Sequence, residues 1–222
     1  LLGKNPLNFS RKLNRMTDSK AHKTIFLLSI FTVVYNLAEG FVSAWLGFED
    51  DALALFGFGA DSFAEMISGV GVMMMTLRIW NNPESGRSKF EKTALQITGY
   101  CFYLLVIGLV FSSGAAIFVG EKPTSTFWGI VISSVSIIIM TWLLWAKKRA
   151  GVRLQSKAVL ADANCTKVCI YMSLVLLASS AVYELFHFQY ADALGALGLA
   201  YLSYKEGKEC FEAVKGNHCD CC

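Results

Sequence analysis

The stretch Ala52-Leu53-Ala54-Leu55-Phe56-Gly57-Phe58-Gly59-Ala60-Asp61-Ser62-Phe63-Ala64-Glu65 decides the fold. It opens an apolar run, Ala52–Trp80, whose only charged residues are Asp61, Glu65 and Arg78. A bilayer core takes roughly 20 apolar residues as a helix, and this run is long enough to cross one. Asp61 falls nine residues past Ala52 and Glu65 thirteen, well inside the run. A carboxylate at mid-bilayer costs ~2.5–3.5 kcal/mol on insertion scales, so such residues turn inward and have a task. The i, i+4 spacing stacks the two on one helical face. Side by side they repel, unless a divalent cation or shared protons intervene. Snorkelling from a helix end, the structural alternative, fits poorly with their depth.

The rest of the chain agrees with a membrane reading. Of 222 residues 55% are hydrophobic and 17% charged, against ~25% charged in soluble domains. The mean hydropathy is +0.47. These values exclude a soluble globular, a disordered or a collagen-like chain. Further apolar runs cover Thr24–Phe48, Ala94–Val119, Thr126–Ala146 and Ala158–Phe186. A weaker sixth covers Phe186–Tyr204, with Asp192 near its start. Each is expected to be helical, because lipid offers backbone groups no hydrogen-bond partner.

The segments between the runs alternate in charge. Lys4, Arg11, Lys12, Arg15, Lys20 and Lys23 precede the first run, and Glu49-Asp50-Asp51 follow it. Arg87, Lys89 and Lys92, then Lys147-Lys148-Arg149, and finally Lys205, Lys208 and Lys215 mark every second connection. Basic residues stay on the cytoplasmic side. The expectation is an all-α integral membrane protein of six helices with both termini cytoplasmic. Residues 1–23 form a basic arm without a cleavable signal peptide, 24–208 the transmembrane domain and 209–222 a short Cys-rich tail. The stretch Phe9–Met16 reads equally as an interfacial amphipathic helix or a disordered arm. A net charge of +3 is too small to suggest nucleic-acid binding. With no organelle signal, the default location is a bacterial inner membrane.

Two further runs carry candidate ligands. Asp162, Cys165 and Cys169 lie at i, i+3 and i+7, on one face of the fifth run. As thiolates the cysteines would be soft metal ligands; as thiols they would pack as small hydrophobes. Asp162 is either a carboxylate ligand or a helix cap. In the first run Asn36 and Glu39 are candidates for a proton carrier, an outer metal ligand or a hydrogen-bond partner of a neighbouring helix. The tail residues His218, Cys219, Cys221 and Cys222 read as a metal-capture arm or as an inert end. Asp61, Glu65, Cys165 and Cys169 supply the four donors that tetrahedral zinc takes. Cobalt, iron(II) and cadmium also suit oxygen with sulfur, whereas magnesium and calcium gain nothing from sulfur. No Walker loop, dinucleotide fingerprint or nucleophile–base pair stands in the sequence, so no enzyme is expected and transport would draw on an ion gradient. The rivals are a metal sensor or delivery scaffold without transport, and a carrier of organic cations through cation–π contacts.

Several of these motifs resemble the cation diffusion facilitator family, and most closely its small bacterial branch without a cytoplasmic C-terminal domain. They are Tyr35-Asn36-Leu37-Ala38-Glu39-Gly40, Leu55–Ser62 with Glu65 and Leu77-Arg78, and Ser156, Ala161-Asp162-Ala163, Thr166 and Cys169. Ala191-Asp192-Ala193, Lys205-Glu206-Gly207 and the Cys-rich end complete the likeness, over residues 24–222. The resemblance implies six helices and export of a divalent metal in exchange for protons by alternating access. It implies a transport site of two acidic positions on the second helix, here Asp61 and Glu65. The matching His and carboxylate of the fifth helix fall on Cys165 and Cys169, a departure toward softer ions, and Asp162 is a candidate for the missing carboxylate. A homodimer would form through the membrane helices or the N-terminal arm. Gly57, Gly59, Gly69 and Gly71 are expected to permit close helix packing.

Overall fold

Each apolar run becomes one long helix in a computed structural model of the chain, which describes residues 6–81, 89–120, 122–154 and 157–215. The helices are α1 (Pro6–Glu49), α2 (Leu53–Asn81), α3 (Lys89–Val119), α4 (Phe127–Leu154), α5 (Lys157–Phe186) and α6 (Ala191–Lys215). There is no strand among the described residues. Five of the helices, α1 to α5, are long and apolar enough to cross a membrane. The fold is the all-α integral membrane bundle that the sequence predicts.

α3 begins before its apolar run, at Lys89, and α4 runs past the end of its own, to Leu154; α1 and α6 also depart from expectation. α1 does not begin near Thr24; its backbone is helical from Pro6, so the basic arm extends the first membrane helix. Pro6 is tolerated in a first helical turn, and no Gly or Pro between it and residue 39 interrupts the helix. The sixth helix begins five residues later than expected, at Ala191, and runs on to Lys215. His187, at φ 49°, breaks the chain after α5, and the Ala191 amide closes a turn on the Phe188 carbonyl at 2.9 Å. The charged end of α6, with Lys and Glu interleaved, keeps it outside the apolar group, yet its 25 residues reach about 37 Å as a helix.

The bundle buries polar stripes beside an apolar core of Leu55, Phe58, Met172, Leu176 and Leu199, and its outside is apolar. Along α1 the buried polar residues are Ser29, Thr32, Asn36, Glu39 and Ser43, repeating at three and four. Its opposite face exposes Val34, Phe41, Trp45 and Phe48. α3 exposes Leu104, Ile107, Phe111 and Phe118 in the same manner. Such a surface suits hydrocarbon, and the inward stripe gives each helix polar neighbours to bond. α1 packs chiefly on α2, α4 on α5, and α3 on α6, while α2 touches all five others. Gly59 is what lets α1 and α2 meet closely: a Cβ there would stand 2.5 Å from the backbone nitrogen of Ala44.

Two carboxylates cap helices from a distance on the face that carries the acidic connection. Asp192, at the start of α6, accepts the Leu53 amide at 2.7 Å and the Ala54 amide at 3.2 Å, closing the N-terminus of α2. Glu184, in the last turn of α5, accepts the Thr126 amide at 2.6 Å and the hydroxyls of Thr126 and Ser125, each at 3.2 Å, ahead of α4. The first turn of a helix leaves amides without intrahelical partners, and an acceptor there stabilises it. A cavity of about 410 Å³ opens beside Asp192, lined also by Asp51, Phe56, Lys122 and Gln189. Replacement Asp192→Ala is expected to destabilise the bundle by about 1–2 kcal/mol, the usual worth of a lost cap. Thermal unfolding in detergent, followed by monodispersity, checks this; an unshifted midpoint would mean that water replaces the cap.

Candidate cation site

The centre of interest lies where α2 faces α1, α5 and α6. Asp61 is 2% exposed and its Oδ1 accepts the Ser203 hydroxyl of α6 at 3.3 Å. One turn further on, Glu65 turns to other neighbours. Its Oε1 accepts the Cys169 thiol of α5 at 2.7 Å, and its Oε2 accepts the Asn36 Nδ2 of α1 at 3.4 Å. Glu39 is buried too; its Oε1 accepts the Tyr35 hydroxyl at 2.7 Å and its Oε2 the Ser62 hydroxyl at 3.3 Å. Three helices thus send polar groups toward the acidic pair of the fourth.

Local sequence explains the placement. Asp61 and Glu65 share a face of α2 because they are i, i+4, and α2 is surrounded on all sides. Asn36 and Glu39 belong to the inward stripe of α1. Cys169 is 8% exposed and stands on the buried face of α5 with Thr166, Met172 and Ser173. The Cys169 thiol also approaches the Cys165 carbonyl at 3.4 Å, so Cys165 occupies the preceding turn. Neither cysteine is in a disulfide, and the Cys165 side chain is only partly buried.

The structure therefore joins two of the expected metal residues, Glu65 and Cys169, by side-chain contact. Asp61 is adjacent but bonds α6. Among the described residues no group of three or more His, Cys, Asp or Glu side chains is gathered tightly enough to hold a metal ion. Asp162 stands in the second turn of α5, past any capping position; its side chain lies outside the described part. His218, Cys219, Cys221 and Cys222 lie outside the described residues.

Four participants were hidden in the sequence. Lys147 reads there as one of a cytoplasmic basic triplet, yet it is 2% exposed and its Nζ donates to the Thr166 hydroxyl of α5 at 3.0 Å. Its phase was the available signal: Ser133, Ser136, Met140, Leu143 and Lys147 repeat at three and four and are all buried. Ser203 and Glu206 continue the same kind of stripe on α6. The fourth is the Tyr35 hydroxyl, whose acceptor is its own i+4 neighbour.

Buried carboxylates that link several helices inside a lipid-facing shell define a polytopic membrane carrier of cations. The family model described as the Cation efflux transmembrane domain matches residues 25–213. The chain belongs to that family, as its sequence motifs lead one to expect, and it is a metal cation transporter of multi-pass membrane type. No curated relative matches the chain.

Glu39 holds Tyr35 and Ser62 together across α1 and α2, so its removal takes the nearest acceptor from a partly buried phenol. Replacement Glu39→Ala should lower stability by roughly 1–3 kcal/mol, the penalty of a buried unsatisfied partner. Glu39→Gln, which keeps an acceptor, should lose less. Parallel thermal scans of the purified variants give the comparison; equal loss for both would assign the effect to charge and not to the hydrogen bond.

Proposed function

We propose that the chain exports a divalent transition-metal cation, zinc first and softer ions next, in exchange for protons by alternating access. The contact between the Cys169 thiol and the Glu65 carboxylate carries this reading. It links α2 to α5 by a proton lying between a soft and a hard donor, and a divalent cation can replace that proton. On the cytoplasmic side, where proton activity is low, Cys169 loses its proton and its sulfur binds the cation together with Glu65. Asp61 offers a second carboxylate once it leaves Ser203. On the other side, protons return to sulfur and carboxylate and the cation departs. Cys165, on the turn before Cys169, and Asp162 are further candidate ligands as the helices shift.

The donor chemistry supports a transition metal over an alkaline-earth ion, because sulfur adds nothing for magnesium or calcium. The resemblance to the small bacterial branch supports a bacterial plasma membrane as its location.

Flux in proteoliposomes under an imposed proton gradient tests this, scanned over zinc, cobalt, iron(II), nickel, cadmium and manganese. One or two ions should move with the gradient, and Asp61→Ala should abolish their movement while keeping the protein folded. Unchanged flux in a folded Asp61→Ala variant would remove Asp61 from the site. The double change Cys165→Ser and Cys169→Ser should turn preference away from cadmium and toward manganese, since oxygen replaces sulfur. An unaltered series would make the thiols packing residues. Cations bound at equilibrium but never moved would instead favour a sensor or delivery scaffold.

A further inference from the structure

We propose that Asn36 is a direct ligand to the transported cation, its amide oxygen completing from α1 the donor set that Glu65 and Cys169 begin. This rests on the site proposed above and extends it to a third helix.

Glu65 and Cys169 supply two donors, and no third His, Cys, Asp or Glu joins them closely among the described residues. Asp61, the obvious addition, is engaged with Ser203 on α6. Glu39 has both of its oxygens committed, to Tyr35 and to Ser62. Asn36 differs from both. It is 1% exposed, and its Nδ2 reaches Glu65 Oε2 at 3.4 Å. Its Oδ1 is buried without any hydrogen-bond partner. Buried carbonyl oxygens are almost always satisfied, and one left bare asks for an explanation.

A cation supplies it. The amide is flat, and half a turn about its last bond exchanges Oδ1 for Nδ2. With Nδ2 toward Glu65, the amide donates a hydrogen bond and holds the carboxylate in the cation's absence. With Oδ1 toward an ionised Glu65, two acceptors face each other, an arrangement that a cation between them makes favourable. The same residue thus serves the empty and the loaded site. The donor set is then one carboxylate, one thiolate and one neutral oxygen, with two negative charges facing a divalent cation until Asp61 leaves Ser203 and adds its own carboxylate. Its mixed hardness suits first-row ions such as cobalt and zinc.

Cobalt(II) titration of the purified full chain in nanodiscs tests the inference, because the ligand-field and sulfur-to-cobalt bands report geometry and thiolate binding separately from transport. Asn36→Leu removes the oxygen and should raise the cobalt Kd by at least about tenfold, the lower end of what even outer-shell partners cost, while keeping the sulfur band. Asn36→Asp keeps an oxygen in place and should bind cobalt as tightly as the parent or more so. Unchanged affinity in Asn36→Leu overturns the inference. So does Asn36→Asp weakened by about tenfold or more, since the amide N–H would then be the part that matters; this arm decides the matter if the leucine variant does not fold. Loss of the sulfur band in Cys169→Ser beside unchanged affinity in Asn36→Leu overturns the role of Asn36 alone. A parent chain that binds no cobalt, zinc or cadmium overturns the site itself and Asn36 with it.

Discussion

A carboxylate inside hydrocarbon must be surrounded by protein, and the bundle is organised around satisfying that demand on α2. Asp61 and Glu65 cannot face lipid without a cost that insertion scales put at a few kcal/mol each. α2 is accordingly the helix that every other helix touches. The neighbours answer with polar stripes at three- and four-residue spacing: Ser29, Thr32, Asn36, Glu39 and Ser43 on α1, and Ser203 and Glu206 on α6. These stripes run beside apolar ones, which meet in the cluster of Leu55, Phe58, Met172, Leu176 and Leu199. Aromatic and aliphatic side chains cover the outside because lipid is as apolar as they are.

The polar groups that satisfy the acids also link helices that would otherwise have little reason to stay together. Between α2 and α5 the Cys169 thiol donates to Glu65. Between α2 and α6, Ser203 holds Asp61 here and Asp192 holds the start of α2 at the other end. Lys147 fastens α4 to α5 through Thr166, one turn before Cys169. α4 is thereby tied to the same stretch of α5 that meets α2 through Cys169.

How much of this was readable in the sequence follows from what kind of interaction decides each feature. Membrane spans are decided by composition over about 20 residues, and α2 to α5 lie close to where their apolar runs predict. The acidic pair was legible because i, i+4 spacing on one helix is a local property. Its division was not: Asp61 meets α6 and Glu65 meets α1 and α5, since four residues turn a helix slightly more than once and three neighbours crowd that face. In the sequence Lys147 stands in the basic run Lys147-Lys148-Arg149, and its phase along α4, four residues past the buried Leu143, turns it inward. Asp192 stands near the start of the sixth apolar run and Glu184 near the end of the fifth. Their role as caps depends on helices more than fifty residues away, which no local pattern encodes.

The three tightest pairings, α1 with α2, α4 with α5 and α3 with α6, meet at the acidic pair. Glu65 joins the first pairing to the second through Cys169, and Asp61 joins the first to the third through Ser203. Within a pairing the contacts are close and extensive, as the approach of Gly59 to Ala44 illustrates. Between pairings, the hydrogen bonds of Cys169 with Glu65 and of Ser203 with Asp61 lie alongside a shared apolar core built from Leu55 and Phe58 of α2, Leu109 of α3, Met172 and Leu176 of α5 and Leu199 of α6. Apolar packing thus joins the pairings, and the hydrogen bonds of the acids fix which turns face one another. The acids that make the bundle costly to assemble are in this way the same groups that set its register.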